Sequence, residues 1–482
     1  MTFYSLPLIS FMLIYIVKNE WRQWRRDKRT VWLMSSITFI SLLALALQIS
    51  DAKHKIEERQ LAQEASRKTW LLQGEKHPHM AAHFGNYAYK HPTVLGVFDP
   101  GITLYTGTSV YLEPHRQNDF LFSESAERDT GARFGGFTPS FICQFIIPLL
   151  IILLTFNLVV SEKSGGTYSL FLAQGVRAKT LIFGKAIAAF LPFALFITGY
   201  ILIVAITSSV FIPSSSFSAS SFIYLWLAYL LYYAIWCLSG VAVSARVKSA
   251  GASISLLLLL WIITSVILPR IGASAAENVY PLITNYAFKK KVAEDIANGL
   301  NGHDVQSDRA KRMEDSVLKA EGVDSVQHLK FNFEGYVMQR GEDYSSQVYD
   351  THFGSIYQTL QNQRKLQSFF SVVSPFMMLH NMSMAASGAS LETEIHFQQE
   401  AEAYRRSFVQ TMNKDMMMNS AYGDWDKYKV KNSLYGAIPD FEVTQKPLRW
   451  RLGFLGLEQV AMLLWLLLLL TYINIISRKY YL

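Results

Sequence analysis

Six long apolar runs, separated by polar stretches of very unequal length, set the pattern of the chain. They cover 31–49, 138–160, 181–206, 222–243, 252–269 and 456–476. Each is near the roughly twenty residues that a helix needs to cross about 30 Å of hydrocarbon. Thr138 followed by Pro139 predicts a helix N-cap with proline in the first turn. Pro148 and Pro192 predict kinks within the second and third spans, and Pro269 predicts the end of the fifth. A shorter run, 1–17, carries Pro7 and is followed rather than preceded by basic residues. It predicts an interfacial helix within a connecting segment 1–30, not a secretory signal.

Two polar regions, 50–137 and 270–452, interrupt the spans on one side. Ile56, Leu61, Ala65 and Leu72 recur at roughly helical spacing in the first, which is then rich in Pro, Gly, His and Tyr. In the second, Asp324-Ser325-Val326-Gln327 fits a capping box. Tyr344, Val348, His352, Ile356 and Leu360 repeat on one helical face, as do Phe397, Ala401, Tyr404, Phe408 and Met412. Both stripes predict packing rather than a ligand box. The fold class expected is an all-α membrane protein: six transmembrane helices, an N-terminal interfacial helix and a mainly helical extracytoplasmic domain.

Composition agrees with that class. The 482 residues are 51% hydrophobic and 17% charged, too apolar for a soluble enzyme and too charged for lipid-facing helices alone. The net charge of +8 is carried by clusters that flank the spans, so it predicts membrane orientation, not nucleic-acid binding. The stretches at 18–29, 163–185, 246–248 and 478–479 fall on one side of six spans, which predicts both termini and the tail 477–482 in the cytoplasm. Cys143 and Cys237 both lie in apolar runs and cannot build a disulfide framework.

Between the second and third spans, SEKSGGTYSLFLAQGVRAKTLIFGK runs from Ser161 to Lys185. Glu162, Lys163, Arg177, Lys179 and Lys185 mark it as facing water, and a Gly165-Gly166-Thr167 turn precedes an amphipathic piece with Tyr168, Leu170, Phe171 and Leu172. This pattern, closing on Gly184-Lys185, resembles the coupling segment of ABC-2-type exporter permeases. The resemblance implies that 161–180 docks into a groove of a separate ATP-hydrolysing subunit, Glu162 and Arg177 making polar contacts and Gly165, Gly166 and Thr167 forming the turn. No Walker A sequence is present, since Lys179-Thr180 follows Ala178 rather than glycine. ATP and Mg are therefore expected in the partner subunit, with no cofactor and no catalytic residue in this chain.

The resemblance covers most of the chain and is weakest over 286–365. HPHMAAHFGNYAYKHPTVLGVFDPGITLYTGTSVYLEPHRQN, SPFMMLHNMSMAASG and HFQQEAEAYRRSFVQTMNKDM look like a subgroup of these permeases with a large extracytoplasmic insertion of unknown function. It implies a bacterial inner-membrane protein paired with a second permease copy or homologue and with ABC ATPase subunits, surrounded by lipid. Periplasmic proteins are further candidate partners; nucleic acid is not.

Other chemistry is sparse. Glu458 stands near the outer end of the sixth span, where contact with interfacial water is expected. His77, His79 and His83 stand close together, His79 and His83 at i and i+4, with Glu113 and His115 able to fold back. No HExxH order is present and no acidic residue within the motif stands as a supporting partner, so the expectation is structural hydrogen bonding and no metal. His79, His83 and His115 are the candidates should a metal bind. Two alternatives to an exporter subunit follow: a membrane scaffold whose outer domain recruits or remodels periplasmic partners, and a membrane-anchored metalloenzyme.

Overall fold

The computed structural model describes residues 5–123, 136–212, 218–425 and 427–478, with side chains from residue 11 onward and the backbone alone at 120–123. Part of the serine-rich turn (213–217) and the end of the basic tail (479–482) lie outside the described residues. The chain is an all-α membrane protein. Helices Lys28–Leu71, Pro139–Ser164, Ala178–Phe211, Ala219–Arg246, Ala250–Val279 and Gly456–Arg478 are the six long and apolar enough to cross a membrane. A helix Ser5–Arg26 precedes them and packs along the third. Asp27 separates it from the first span and caps that span, accepting from the Arg29 amide at 3.1 Å and the Thr30 hydroxyl at 2.8 Å.

The spans alternate in direction, which gives the bundle a basic end and an opposite end that carries the two large polar regions. The fourth span is the hub. Its Tyr229, Tyr232, Tyr233 and Trp236 are buried against the second, third and sixth spans.

Three prolines inside the spans each leave a carbonyl without its amide partner, which would cost several kcal/mol in hydrocarbon if nothing else reached it. In every case another element does. Pro148 follows a π turn, Ile142–Ile146. The carbonyls of Cys143 and Gln144 accept instead from the hydroxyls of Tyr233 (3.1 Å) and Tyr232 (2.7 Å). Below Pro192, the Ala188 carbonyl accepts from the Trp21 indole at 3.2 Å. Pro269 likewise follows a π turn, Ile263–Ile267, and the Thr264 carbonyl accepts from Ser374 at 2.5 Å. Pro269 therefore does not end the fifth helix, which runs on to Val279. The wider turn relieves the ring clash, and Ser374 replaces the lost bond.

At the opposite end the first span continues as one helix to Leu71. A small antiparallel sheet of Asn86–Tyr89, Gly107–Leu112 and Phe120–Ser123 adds strands that the sequence reading did not contain. Long helices Phe333–Ser371 and Leu391–Asn419 pack on each other and on this region. Phe397, Ala401, Phe408 and Met412 join Trp70 in one core, the use expected for that stripe. The proposed capping box fails: only a 3-10 turn, Val326–His328, follows Ser325, and Asp324 pairs with His328 at 2.6 Å.

Helix Pro375–Ser387 sinks into the end of the bundle. Ser383 bonds the buried Asp99 carboxylate, and Gln144 of the second span donates to Asp99 (3.3 Å) and to Tyr229 (2.8 Å). Glu458 is also held inward. It is fully buried, accepting from Ser368 at 2.7 Å and Asn381 at 3.1 Å, so it does not reach interfacial water.

Candidate functional site

At the basic end the second span is followed by Thr167–Ala173, a two-turn helix bracketed by two left-handed glycines, Gly166 (φ +76°) and Gly175 (φ +85°). Side chains with a Cβ avoid that region, so the sequence reverses direction where it has glycine. Gly165 is not left-handed and tops the short helix Val160–Ser164. The apolar side of Thr167–Ala173 mostly faces the bundle: Tyr168 is buried, and Phe171 and Leu172 pack on the core. Outward it presents Ser169, Leu170, Ala173 and Gln174, with Gly166, Thr167 and Arg177 exposed beside them.

This segment is tied firmly to the spans. Lys185, expected to face water, is only 2% exposed and binds Glu20 at 2.5 Å and Glu162 at 2.7 Å. The reason is packing: helix Ser5–Arg26 lies against the third span and brings Glu20 over Lys185. Lys185 thus joins three helices and commits Glu162 inside the molecule, whereas Arg177 is exposed. Lys163 donates to the Ala245 carbonyl, and the Val159 and Val160 amides donate to the Ser244 hydroxyl at 3.0 and 3.2 Å. Movement of the Thr167–Ala173 helix must therefore be felt by the second, third and fourth spans together.

At the opposite end a cavity of about 730 Å³ opens between the extension of the first span, the sheet and the head of the fourth span. Val94, Leu95 and Phe222 supply apolar lining, and Arg59, Lys90, Glu394 and Arg451 polar lining. Burial draws the Lys90 ammonium below its usual range although Glu394 beside it pulls the other way.

The histidines also meet at this end. His79 lies in the short helix Pro78–Ala82 and His83 caps it. In the sheet Asn86 pairs with Leu112, so His83, three residues before the one, and His115, three after the other, emerge side by side. Their Nε2 atoms lie 2.9 Å (His83) and 3.4 Å (His115) from that of His79. His303, from the loop before Asp308–Glu321, brings a fourth Nε2 to 2.9 Å from that of His115. Glu113 is not among them; it accepts from Asn118 at 3.1 Å.

The expectation of no metal rested on a missing supporting carboxylate, and the fold supplies one from far along the chain. Glu342 of helix Phe333–Ser371 binds the Nδ1 of His115 and accepts its backbone amide at 2.9 Å. Arg405 stands 3.5 Å behind Glu342, locked by two bonds to Glu402 at 2.7 and 2.8 Å. Burial raises the Glu342 carboxyl, but the bond and charge of His115 and the charge of Arg405 outweigh it and hold the group below its usual range. Burial and the neighbouring histidines draw His79 down to about 2; burial chiefly lowers His83 and His303 too. His303 and Glu342 were invisible to spacing arguments, being separated from His115 by 188 and 227 residues. The β-branched and aromatic residues of NYAY and GTSVYL are the one local signal that could have indicated the sheet uniting His83 and His115.

Comparison with known families matches a domain of unknown function, DUF3526, to residues 286–444. This is about a third of the chain, it includes the part over which the permease resemblance is weakest, and it contains His303, Glu342 and Arg405. No curated protein matches the chain.

Proposed function

We propose that the chain is the transmembrane permease subunit of an ATP-driven exporter of the ABC-2 type, coupling ATP hydrolysis in a separate subunit to outward movement of a substrate. The observation that carries this reading is the Thr167–Ala173 helix, set between two left-handed glycines at the basic end and braced to three spans. A loop that merely returned the chain would need neither the brace nor the exposed Leu170 (58%). Exposed Lys18, Arg22, Arg25 and Arg26, with Arg177, Arg246 and Lys248, support a reading in which this end faces the cytoplasm of a bacterial inner membrane with both termini inside. The partners are ABC ATPase subunits carrying ATP and Mg, and a second permease copy or homologue. ATP-driven closure of the ATPases pushes on the helix, and the tilt passes through Lys185, Glu162 and Ser244 to the spans. The cavity at the opposite end is where cargo leaves the bundle.

The test is association with the co-expressed ATPase. Truncating a charged partner in such an interface costs about 2–5 kcal/mol. Arg177→Ala and Leu170→Asp should thus weaken co-purification and transport-linked ATP hydrolysis at normal expression and membrane insertion. Gly166→Val should act more strongly through the strained φ, and Lys248→Ala, in the other loop at the same end, should matter less. Wild-type assembly and hydrolysis in all of these variants would reduce the segment to a connector.

A further inference from the structure

The four imidazoles in the outer region pose a bonding problem. Each Nε2 has a single in-plane direction, occupied either by a proton or by a lone pair. The Nε2 of His79 faces those of both His83 and His115, and the Nε2 of His115 faces those of both His79 and His303. Neither atom can serve two neighbours by hydrogen bonding. Glu342 sharpens the conflict: its carboxylate accepts a hydrogen bond from Nδ1–H of His115, and in the neutral ring that tautomer aims the Nε2 lone pair into the cluster.

A central cation resolves this: one ligand nitrogen from each of His79, His83 and His115 lies within 4.8 Å of the other two, and His303 stands beside His115 to supply a fourth. Zinc–imidazole bonds of about 2.0–2.1 Å place tetrahedral nitrogens roughly 3.3 Å apart; three of the six pairs, 79–83, 79–115 and 115–303, stand at 2.9, 3.4 and 2.9 Å. The surroundings hold the rings in place. His115 is in the left-handed region (φ +66°), the one non-glycine residue there among those described, and that conformation turns its ring toward the others. Gly341 lets the 302–303 loop lie directly on helix Phe333–Ser371, since a Cβ there would stand 2.7 Å from the Gly302 nitrogen. His79 is buried while His303 is exposed, which gives an ion a way in.

We infer that His79, His83, His115 and His303 form a binding site for a divalent late first-row transition ion, zinc foremost, with Glu342 as the carboxylate behind His115. An all-imidazole set suits zinc, copper, nickel and cobalt and disfavours calcium and magnesium, which prefer oxygen. Three ligands come from the first outer region and the fourth, with Glu342, from the second. The ion therefore cross-links two regions separated by about 190 residues of chain and four of the spans. This site is independent of the coupling segment at the other end.

The test uses the full-length chain in detergent, stripped with a chelator and titrated with zinc chloride, then cobalt chloride. One equivalent of zinc per chain by elemental analysis, a rise in melting temperature, and the intense visible bands of tetrahedral cobalt are expected. His79→Ala with His83→Ala should abolish binding. His303→Ala, on an exposed loop, should fold normally and bind more weakly, and Glu342→Gln should lose about 10–100-fold in affinity. A folded wild-type chain that binds no stoichiometric zinc, or gives the weak cobalt spectrum of an octahedral site unaffected by His303→Ala, would overturn the inference.

Discussion

At the scale of single residues, the most consequential placement is Lys185. Its position after a loop rich in charge reads as solvent-facing, yet the side chain is buried between Glu20 and Glu162. Breaking a buried pair leaves a charge without compensation and costs about 3–5 kcal/mol. Lys185→Met leaves two carboxylates facing each other and should lower both the melting temperature of the purified chain and its yield in membranes. Glu162→Gln should cost less, because the Glu162 side chain is 18% exposed against 5% for Glu20. A Lys185→Met protein as stable as wild type would show that no such buried cluster exists. The sequence could not have indicated this, since the partner that buries Lys185 lies 165 positions away on the N-terminal helix. Glu458 was misjudged for the same reason: Ser368 and Asn381, which enclose it, belong to the second polar region.

At the scale of elements, hydropathy located all six spans, because twenty apolar residues leave a chain few alternatives to crossing as a helix. Thr138 and Pro139 were equally legible, since a cap is a local bond, here from the Phe141 amide at 3.1 Å. The interior prolines were only half legible. That Pro148 and Pro269 disturb a helix is local chemistry, but the rescue comes from Tyr232, Tyr233 and Ser374 on other elements. This makes a sharp prediction. Tyr232→Phe removes the donor to the Gln144 carbonyl and should destabilise by about 1 kcal/mol. Pro148→Ala restores a backbone donor, so the same change made on that background should cost clearly less. Equal losses in both backgrounds, read as melting-temperature shifts, would show that the tyrosine does not stand in for the missing amide.

At the scale of the whole molecule, the bundle has a braced basic end and an opposite end where a cavity and a histidine cluster lie under a helical domain. Orientation is open to direct measurement because both native cysteines are buried and give little background. Leu61→Cys and Thr351→Cys, both exposed at the opposite end, should react with a membrane-impermeant thiol reagent in intact cells; Ser169→Cys should react only after permeabilisation. Labelling at 169 with protection at 351 would invert the topology. The central claim, that the Thr167–Ala173 helix is the contact for an ATPase, is tested most directly by a photo-crosslinking residue at Leu170 in native membranes. The account predicts one dominant adduct with an ATP-hydrolysing subunit, sensitive to nucleotide and absent when the same probe replaces Lys248, which is also exposed. No adduct at 170, or the same adducts at both positions, would contradict it.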